Sequence, residues 1–306
     1  MGTTLRRILW AAILVCGLAS AASGATELAV TVDDLPAHGP MPPGMQRLPT
    51  AQRMISALRR HGVRAVVGFV NGGQIRDHPE RAHIVKLWLQ AGFPVANHTF
   101  SHLDINHVTA AEYIADIERN EAVLAEVAGS RWARVFRYPY LHEGESAETR
   151  EAVRRWLAAH GYTIAPVTVT FDDWAWNDAY ARCAARRDGG AIAWLKQSFL
   201  EAAVSRLEWS QAVAEVTFGR QIRHVLLLHV GAFDAVMMND LLEVYQKAGV
   251  KMIGLDTAMA DPVYQLKTDE VWQGESTFLL QVARARGVRI PTVPEIPLET
   301  LRTMCP

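Results

Sequence analysis

The sequence predicts an α/β protein in which helices and strands alternate to form a barrel of β/α units. At four places an amphipathic helical stretch ends in Gly and is followed by an apolar, strand-like run. These are Gly62, Gly92, Gly161 and Gly249, each at a position where a helix C-cap needs a left-handed φ. With the other apolar runs, the chain has about seven candidate strands, mostly separated by helical stretches, which is typical of a parallel sheet.

The candidate strands are short apolar runs along the whole chain. In order they are residues 28–32, 64–70, 93–96, 135–136, 162–171, 225–228 and 250–255. Residues 174–222 are longer than one crossover needs, and their pattern predicts two helices, the second over about 191–216. One more amphipathic helix is predicted over 276–286, before a tail that contains several prolines.

Length and composition allow one large domain or two small ones and exclude several classes of protein, and the order of the motifs described below favours one domain. The chain has 306 residues, 50% of them hydrophobic, and 31 basic against 32 acidic side chains, for a net charge of −1. It can bury a large core, and it has no overall positive field that would attract nucleic acid. We predict a barrel over 26–261 with a helical insertion at about 175–222, and an extension over 262–306 packed on the barrel. No protein partner is predicted.

The first 25 residues have the pattern of a secretory signal peptide. Arg6 and Arg7 are followed by an apolar run over 8–18 and then by small residues. Because this run is shorter than the roughly 20 residues that span a bilayer, we expect cleavage and no stable membrane insertion. The mature protein would be exported to the periplasm or secreted, where Cys183 and Cys305 could form a disulfide.

Chemically reactive side chains follow the predicted strands, at the end of a β/α barrel where active sites assemble. Asp33 and Asp34 end the first strand, so one can ligate a metal while the other takes a proton. His98 and His102 are four residues apart and can reach one cation from the same face of a helical turn. With Asp34 they form a two-His, one-carboxylate set that suits catalytic zinc and also some iron or cobalt sites.

The fourth to sixth strands contribute further candidates. Arg137 would hold Asp33 ionised and oriented, and a Pro-stiffened loop would present the backbone N–H of Tyr140. Asp173 would fix the tautomer of His229 and raise its pKa, so that His229 can carry a proton to a leaving amine. Each feature alone has an ordinary structural explanation, and the prediction depends on their occurring together.

In this order, the motifs resemble those of the polysaccharide deacetylases with the NodB homology domain, carbohydrate esterase family 4. The resemblance covers residues 28 to about 255. The matching segments are T-V-D-D ending at Asp34, H-T-F-S-H from His98 to His102, R-Y-P-Y from Arg137 to Tyr140, D-W at Asp173 and Trp174, and L-L-H ending at His229.

The resemblance implies a distorted (β/α)7 barrel of the NodB type and a hydrolase that removes N-acetyl groups from an amino-sugar polymer or oligomer. Peptidoglycan, chitin-like chains and poly-N-acetylglucosamine are the expected substrates. It also implies a divalent metal held by Asp34, His98 and His102, with Zn²⁺ expected first and Co²⁺, Ni²⁺ or Fe²⁺ as alternatives.

The same resemblance implies roles for the remaining site residues. Asp33 would be the general base and His229 the general acid. Arg137 would orient the base, Asp173 would tune the acid, and the backbone N–H of Tyr140 would stabilise the oxyanion. Trp174 and Leu227 would line the acetyl pocket. Apart from the resemblance, the rings of Tyr138, Tyr140, Trp174 and Trp176 could stack on a sugar, although such rings often only pack in the core.

Two other functions stay open. The same fold could hydrolyse acetyl esters on xylan or a small amide, or it could be a catalytically silent carbohydrate-binding module. A base, an acid and three metal ligands favour an enzyme, because a binding protein does not need all five. His38 lies close after Asp34 and could contact substrate, although a solvated loop histidine is the simpler interpretation.

Overall fold

The computed structural model describes residues 25–268, 271 and 276–306, and the predicted signal peptide lies outside this range apart from its last residue. The described residues contain seven strands: β1 (Glu27–Leu35), β2 (Val67–Val70), β3 (Val95–Asn97), β4 (Trp132–Phe136), β5 (Thr163–Ile164), β6 (His224–His229) and β7 (Lys251–Ile253). Each falls on or beside a predicted strand. Within the described part of the chain, no helix is long and apolar enough to cross a bilayer.

The helices alternate with the strands as the sequence predicts. They are α1 (Arg47–Arg60), α2 (Gly73–Asp77), α3 (Ala82–Gln90), α4 (Ala110–Ala128), α5 (Ala147–Ala159), α6 (Trp174–Arg186), α7 (Gly189–Phe218), α8 (Ala232–Lys247), α9 (Leu255–Met259), α10 (Phe278–Ala285) and α11 (Leu298–Thr303). The four predicted glycines after α1, α3, α5 and α8 all have positive φ, between 70° and 83°. This conformation ends each helix and turns the chain back towards the sheet.

All the strands are parallel and form one curled sheet. Its order is β5-β4-β3-β2-β1-β6, and β7 pairs with the first residues of β1. The segment after β5 contacts β4, next to one end of this order, and β6 at the other end. The N–H of Ala165 donates to the carbonyl of Phe136 in β4 at 2.8 Å, and the N–H of Leu227 in β6 donates to the carbonyl of Val169 at 3.0 Å. The predicted (β/α)7 barrel is therefore confirmed.

The side chains of the central strand β1 point alternately towards the helices and towards the interior of the barrel. Leu28, Val30 and Val32 pack in the large core beneath the helices, whereas Ala29 packs with Phe69 in a small cluster inside the barrel. Since successive side chains of a strand point to opposite faces, Thr31 and Asp33 share the inner face with Ala29. β1 thus delivers one carboxylate to the interior of the barrel at its carboxyl end.

The insertion and the C-terminal segment pack on the outside of the barrel. The two helices predicted for residues 174–222 are α6 and α7, and both pack against α8. α10 packs on α7 and α11 on α6. A disulfide joins Cys183 in α6 to Cys305 after α11, with a Cα–Cα distance of 5.2 Å. This bond ties the last residues of the chain to the insertion.

Candidate active site

Most of the predicted site residues meet in one cavity of about 380 Å³. It lies at the carboxyl ends of the strands, and Asp33 in β1 pairs in register with His229 in β6. The lining includes Asp33, Asp34, His98, His102, Tyr140, Trp174, Leu227 and His229. His38, Leu141, His142, Thr170 and Asp172 complete it. Arg137 and Asp173 lie behind the lining, where each contacts one of these side chains.

Asp33 is held by a buried arginine. Both carboxylate oxygens of Asp33 lie 3.3 Å from Nη1 of Arg137, whose side chain is 1% exposed. The guanidinium also donates to Oγ1 of Thr31 at 3.2 Å and to the carbonyl of Ala165 at 3.1 Å. Arg137 therefore links β1, β4 and the segment that closes the barrel, and it fixes the direction of the Asp33 carboxylate.

Asp34, His98 and His102 converge as a set of ligand atoms. Oδ1 of Asp34 lies 3.5 Å from Nε2 of His98 and 3.3 Å from Nε2 of His102. This oxygen is buried and has no hydrogen-bond partner among the described residues. Nδ1 of His98 donates to the carbonyl of Arg137 at 2.8 Å, which leaves Nε2 free to bind a cation. The three residues present therefore fit the divalent metal that the sequence predicts.

The charge states of this set suit a cation. Burial raises the pKa of Asp34, but the neighbouring imidazoles of His38 and His98 outweigh it and hold the pKa well below its usual value. Burial lowers the pKa of His102 to about 4, and the nearby Asp34 only partly opposes this. At neutral pH the set therefore offers a carboxylate and a neutral imidazole, the forms that bind metals.

His38 is a site residue for which the sequence analysis preferred a solvated loop position, and the structure corrects this. Its Nδ1 lies 2.7 Å from Oδ2 of Asp34, on the opposite oxygen from the one that faces His98 and His102. Its ring also lies 4.7 Å from the ring of His229. The spacing of four residues from Asp34 was the available signal, and only the turn after β1 shows that the side chain folds back onto the carboxylate.

Asp173 holds His229 by two hydrogen bonds. Oδ2 accepts from the backbone N–H of His229 at 2.7 Å, and Oδ1 lies 2.9 Å from Nδ1 of the ring. Burial lowers the pKa of His229, but the charge of Asp173 outweighs it and raises the pKa to about 10. His229 is therefore an imidazolium at neutral pH, with Nδ1 directed to Asp173 and Nε2 left for another partner.

Tyr138 was predicted to contact a sugar ring, and the structure does not bring it to this cavity. Its side chain is 3% exposed and packs against Tyr113 and Phe136, 6.1 Å and 4.9 Å away between ring centroids. Since neighbouring residues in extended chain point to opposite sides, a Tyr next to the inward-facing Arg137 must point outward. Tyr138 lines a separate cavity of about 610 Å³ and is not a substrate contact of the candidate active site.

Tyr140 and Trp174 lie at the mouth of the cavity. They are 52% and 43% exposed, respectively, and the Tyr140 ring lies edge-on to His102 with centroids 4.5 Å apart. The backbone around the cavity is unusual, since six residues other than Gly have positive φ. These are Asp34, Thr99, His102, Tyr140, Leu141 and Asp172, with φ between 53° and 62°. Each left-handed residue changes the direction of the chain where a side chain has to turn into the cavity.

Comparison with known proteins gives the same family as the motifs. Residues 21–165 match the family model described as polysaccharide deacetylase. A peptidoglycan-N-acetylglucosamine deacetylase of Bacillus cereus is 28% identical over 148 residues, which cover 48% of this chain and 46% of that protein. The chain thus spans about half the length of the curated relative it matches.

Solved structures share the fold at low sequence identity. A chitin deacetylase from Colletotrichum lindemuthianum is 17% identical, with a TM-score of 0.54 over 81% of this chain and 93% of that one. A peptidoglycan N-acetylglucosamine deacetylase is 20% identical, with a TM-score of 0.51 over 77% and 90%. A pseudoenzyme of carbohydrate esterase family 4 from Bacillus anthracis is 13% identical, with a TM-score of 0.52 over 78% and 66%. The motifs, the curled parallel sheet and the match of residues 21–165 to the family model together make the chain similar to the polysaccharide deacetylases.

Proposed function

We propose that the protein is a metal-dependent hydrolase that removes N-acetyl groups from an amino-sugar polymer or oligomer. One observation carries the proposal. Asp33 and His229 lie side by side on β1 and β6, each with a buried partner of opposite charge, and both border the cavity that contains the predicted metal ligands. A carbohydrate-binding module has no use for a paired base and acid at such a place.

The metal ligands define what a cation would contribute. A divalent ion held by Asp34, His98 and His102, with Zn²⁺ expected first, would act as a Lewis acid that polarises the acetyl carbonyl and lowers the pKa of a water molecule. His98 is oriented by the carbonyl of Arg137, and Asp34 is oriented by His38. The protein thus supplies both the ligands and the groups that orient them.

The chain's own residues account for the proton transfers. Asp33 is oriented by Arg137 and accepts the proton of the attacking water. The water oxygen bonds to the acetyl carbon, the backbone N–H of Tyr140 stabilises the oxyanion, and the C–N bond then breaks. His229 donates its proton from Nε2 to the leaving nitrogen, while Asp173 keeps hold of Nδ1. Acetate and a free amino sugar are the products.

The mouth of the cavity supports a glycan substrate. Tyr140 and Trp174 present exposed aromatic faces there, which suit stacking on a sugar ring, and Leu227 lines the wall next to His229. Peptidoglycan, chitin-like chains and poly-N-acetylglucosamine are the proposed substrates. The N-terminal pattern supports export, so we place the mature protein in the periplasm or outside the cell.

The test is acetate release by the purified, metal-loaded protein. Chitin oligomers, peptidoglycan and poly-N-acetylglucosamine are compared with acetylxylan, and Asp33→Asn is the matched control. Release from an N-acetylated glycan that falls by about 10²- to 10⁴-fold in the variant, with bound metal unchanged, supports the proposal. Release from acetylxylan alone would identify an esterase. No release from any substrate would contradict the proposal and favour a binding module.

A further inference from the structure

Asp234 is a buried carboxyl group that the proposed mechanism does not use. It lies in the first turn of α8, three residues after Gly231, and its side chain is 1% exposed. Neither of its carboxyl oxygens has a hydrogen-bond donor from another residue among those that the structure describes. The group it does face is the fully buried carboxyl of Asp173. A buried carboxylate whose one donor is its own backbone N–H, and which lies beside a second carboxylate, is too costly to stay ionised in a protein interior.

We propose that Asp234 is a carboxylic acid whose proton is donated to Asp173, and that this hydrogen bond holds Asp173 in the orientation that receives His229. Asp234 is thus a positioning residue that acts through Asp173, and the three side chains connect α8 to the cavity. The proposal rests on the proposed role of His229 as proton donor.

The hydrogen-bonding needs of Asp173 support this arrangement. One carboxylate oxygen of Asp173 accepts from the backbone N–H of His229, and the other lies 2.9 Å from Nδ1 of the imidazole. A carboxylate with further acceptor capacity in a dry site is stabilised by one more donor, and a neutral carboxylic acid has one O–H to give. Burial raises the pKa of Asp234 well above its usual value, and the charge of Asp173 raises it further.

The glycine at residue 231 leaves space for the Asp234 side chain. A Cβ at residue 231 would lie 2.6 Å from Oδ2 of Asp234 and 3.0 Å from Oδ1 of Asn177. Gly231 has a φ of −86°, which any residue can adopt, so glycine is needed here for space rather than for backbone conformation. Asn177 is itself fixed, because its Oδ1 accepts from the N–H of Phe233 at 3.0 Å. The Asp234 carboxyl therefore occupies the space that any larger side chain at residue 231 would need.

The first experiment measures the proton directly and needs no substrate. The infrared difference spectrum between wild type and Asp234→Asn at pH 7 should contain the C=O stretching band of one carboxylic acid in the wild type. Absence of this band would show that Asp234 is ionised and would overturn the proposal, whatever the protein's activity.

The second experiment measures turnover in matched variants. Asp234→Ala should lower kcat by about 10- to 100-fold at unchanged KM, the usual effect of removing an outer-shell orienting group. Asp234→Asn retains an N–H donor and should restore most of kcat. Asp261→Asn removes another buried carboxylate, one paired with Arg220 away from the cavity, and should leave kcat unchanged.

A double-mutant cycle checks that the effect passes through this contact. Gly231→Ala should lower kcat as Asp234→Ala does, and it should cost less in the Asp234→Ala background, where only its contact with Asn177 remains. A wild-type kcat in Asp234→Ala, or an equal loss of kcat in Asp234→Ala and Asp234→Asn, would overturn the proposal for Asp234 without affecting the proposed deacetylase function. A wild type without deacetylase activity would instead refute the proposed function, and the infrared band would still decide the state of Asp234.

Discussion

Replacing Arg137 with Met should reduce both the stability and the activity of the protein. The Arg137 guanidinium is almost completely buried and lies 3.3 Å from both oxygens of Asp33. Met fills similar space but has neither a charge nor a donor. The variant therefore leaves the Asp33 carboxylate buried without its cation, and it also removes the hydrogen bond to the carbonyl of Ala165 that helps to close the barrel.

The magnitude follows from the burial of the pair. Removing one partner of a buried ion pair lowers the free energy of unfolding by about 3–5 kcal/mol. For a chain of roughly this size each kcal/mol shifts Tm by about 2–4 °C, so the expected fall in Tm is about 6–20 °C. When Asp33→Asn is added to Arg137→Met, the buried negative charge that lost its cation is removed as well. The double variant should therefore recover much of the stability that Arg137→Met loses.

The assay is thermal unfolding followed by circular dichroism, with a chelator present so that bound metal does not differ between variants. Arg134→Met is the matched control, because Arg134 lies on β4, three residues before Arg137, but forms a half-exposed pair with Glu121. That variant should lose no more than about 1 kcal/mol. A loss of equal size in both arginine variants, or no recovery in the double variant, would refute the role of Arg137 as the counter-ion of Asp33.

Four further predictions concern the metal, the proton donor and the disulfide. His102→Ala should lower the metal content found by elemental analysis, and unchanged stoichiometry would mean that the ligand set is wrong. His38→Ala should weaken metal binding by about 10- to 100-fold in competition with a coloured chelator, because the His38 side chain orients the ligating carboxylate of Asp34. Wild-type metal affinity in this variant would contradict that role. His229 carries its proton only below its pKa, so kcat should fall as the pH rises through about 10. A fall in kcat that is already complete near the ordinary histidine pKa of about 6.5 would contradict the role of His229 as proton donor. Cys305→Ser breaks the link to Cys183 across 122 residues and should lower stability by about 2–4 kcal/mol at unchanged kcat; a reductant that left the wild-type Tm unaltered would contradict this.

The fold was predictable because its signals are local. Apolar runs and glycine-terminated helices repeat along the chain, and each needs only neighbouring residues to be recognised. The fifth strand shows the limit of this reasoning. Its apolar run over 162–171 predicts one long strand, but β5 covers Thr163–Ile164, and the chain then crosses from β4 to β6. Where the barrel closes depends on curvature, which no single segment encodes.

The candidate site was predictable where a residue ends a strand. Asp33 and His229 pair across β1 and β6 as their positions after apolar runs suggest. His38 and Asp234 could not be placed in the same way, because each returns to the site through a turn whose path depends on distant contacts. Tyr138 was placed wrongly, although the alternation of side chains next to Arg137 would have directed it outward.

The left-handed residues around the cavity make function compete with stability. Each non-glycine residue in that conformation costs about 1–3 kcal/mol, so the total cost of the six is comparable to the roughly 5–15 kcal/mol by which a folded domain is typically more stable than its unfolded state. Asp34 and His102 are among the six, and glycine at either position would relieve the backbone while destroying the metal site. A screen for thermostability alone would therefore enrich inactive proteins, and selection for activity is what keeps the strained backbone in place.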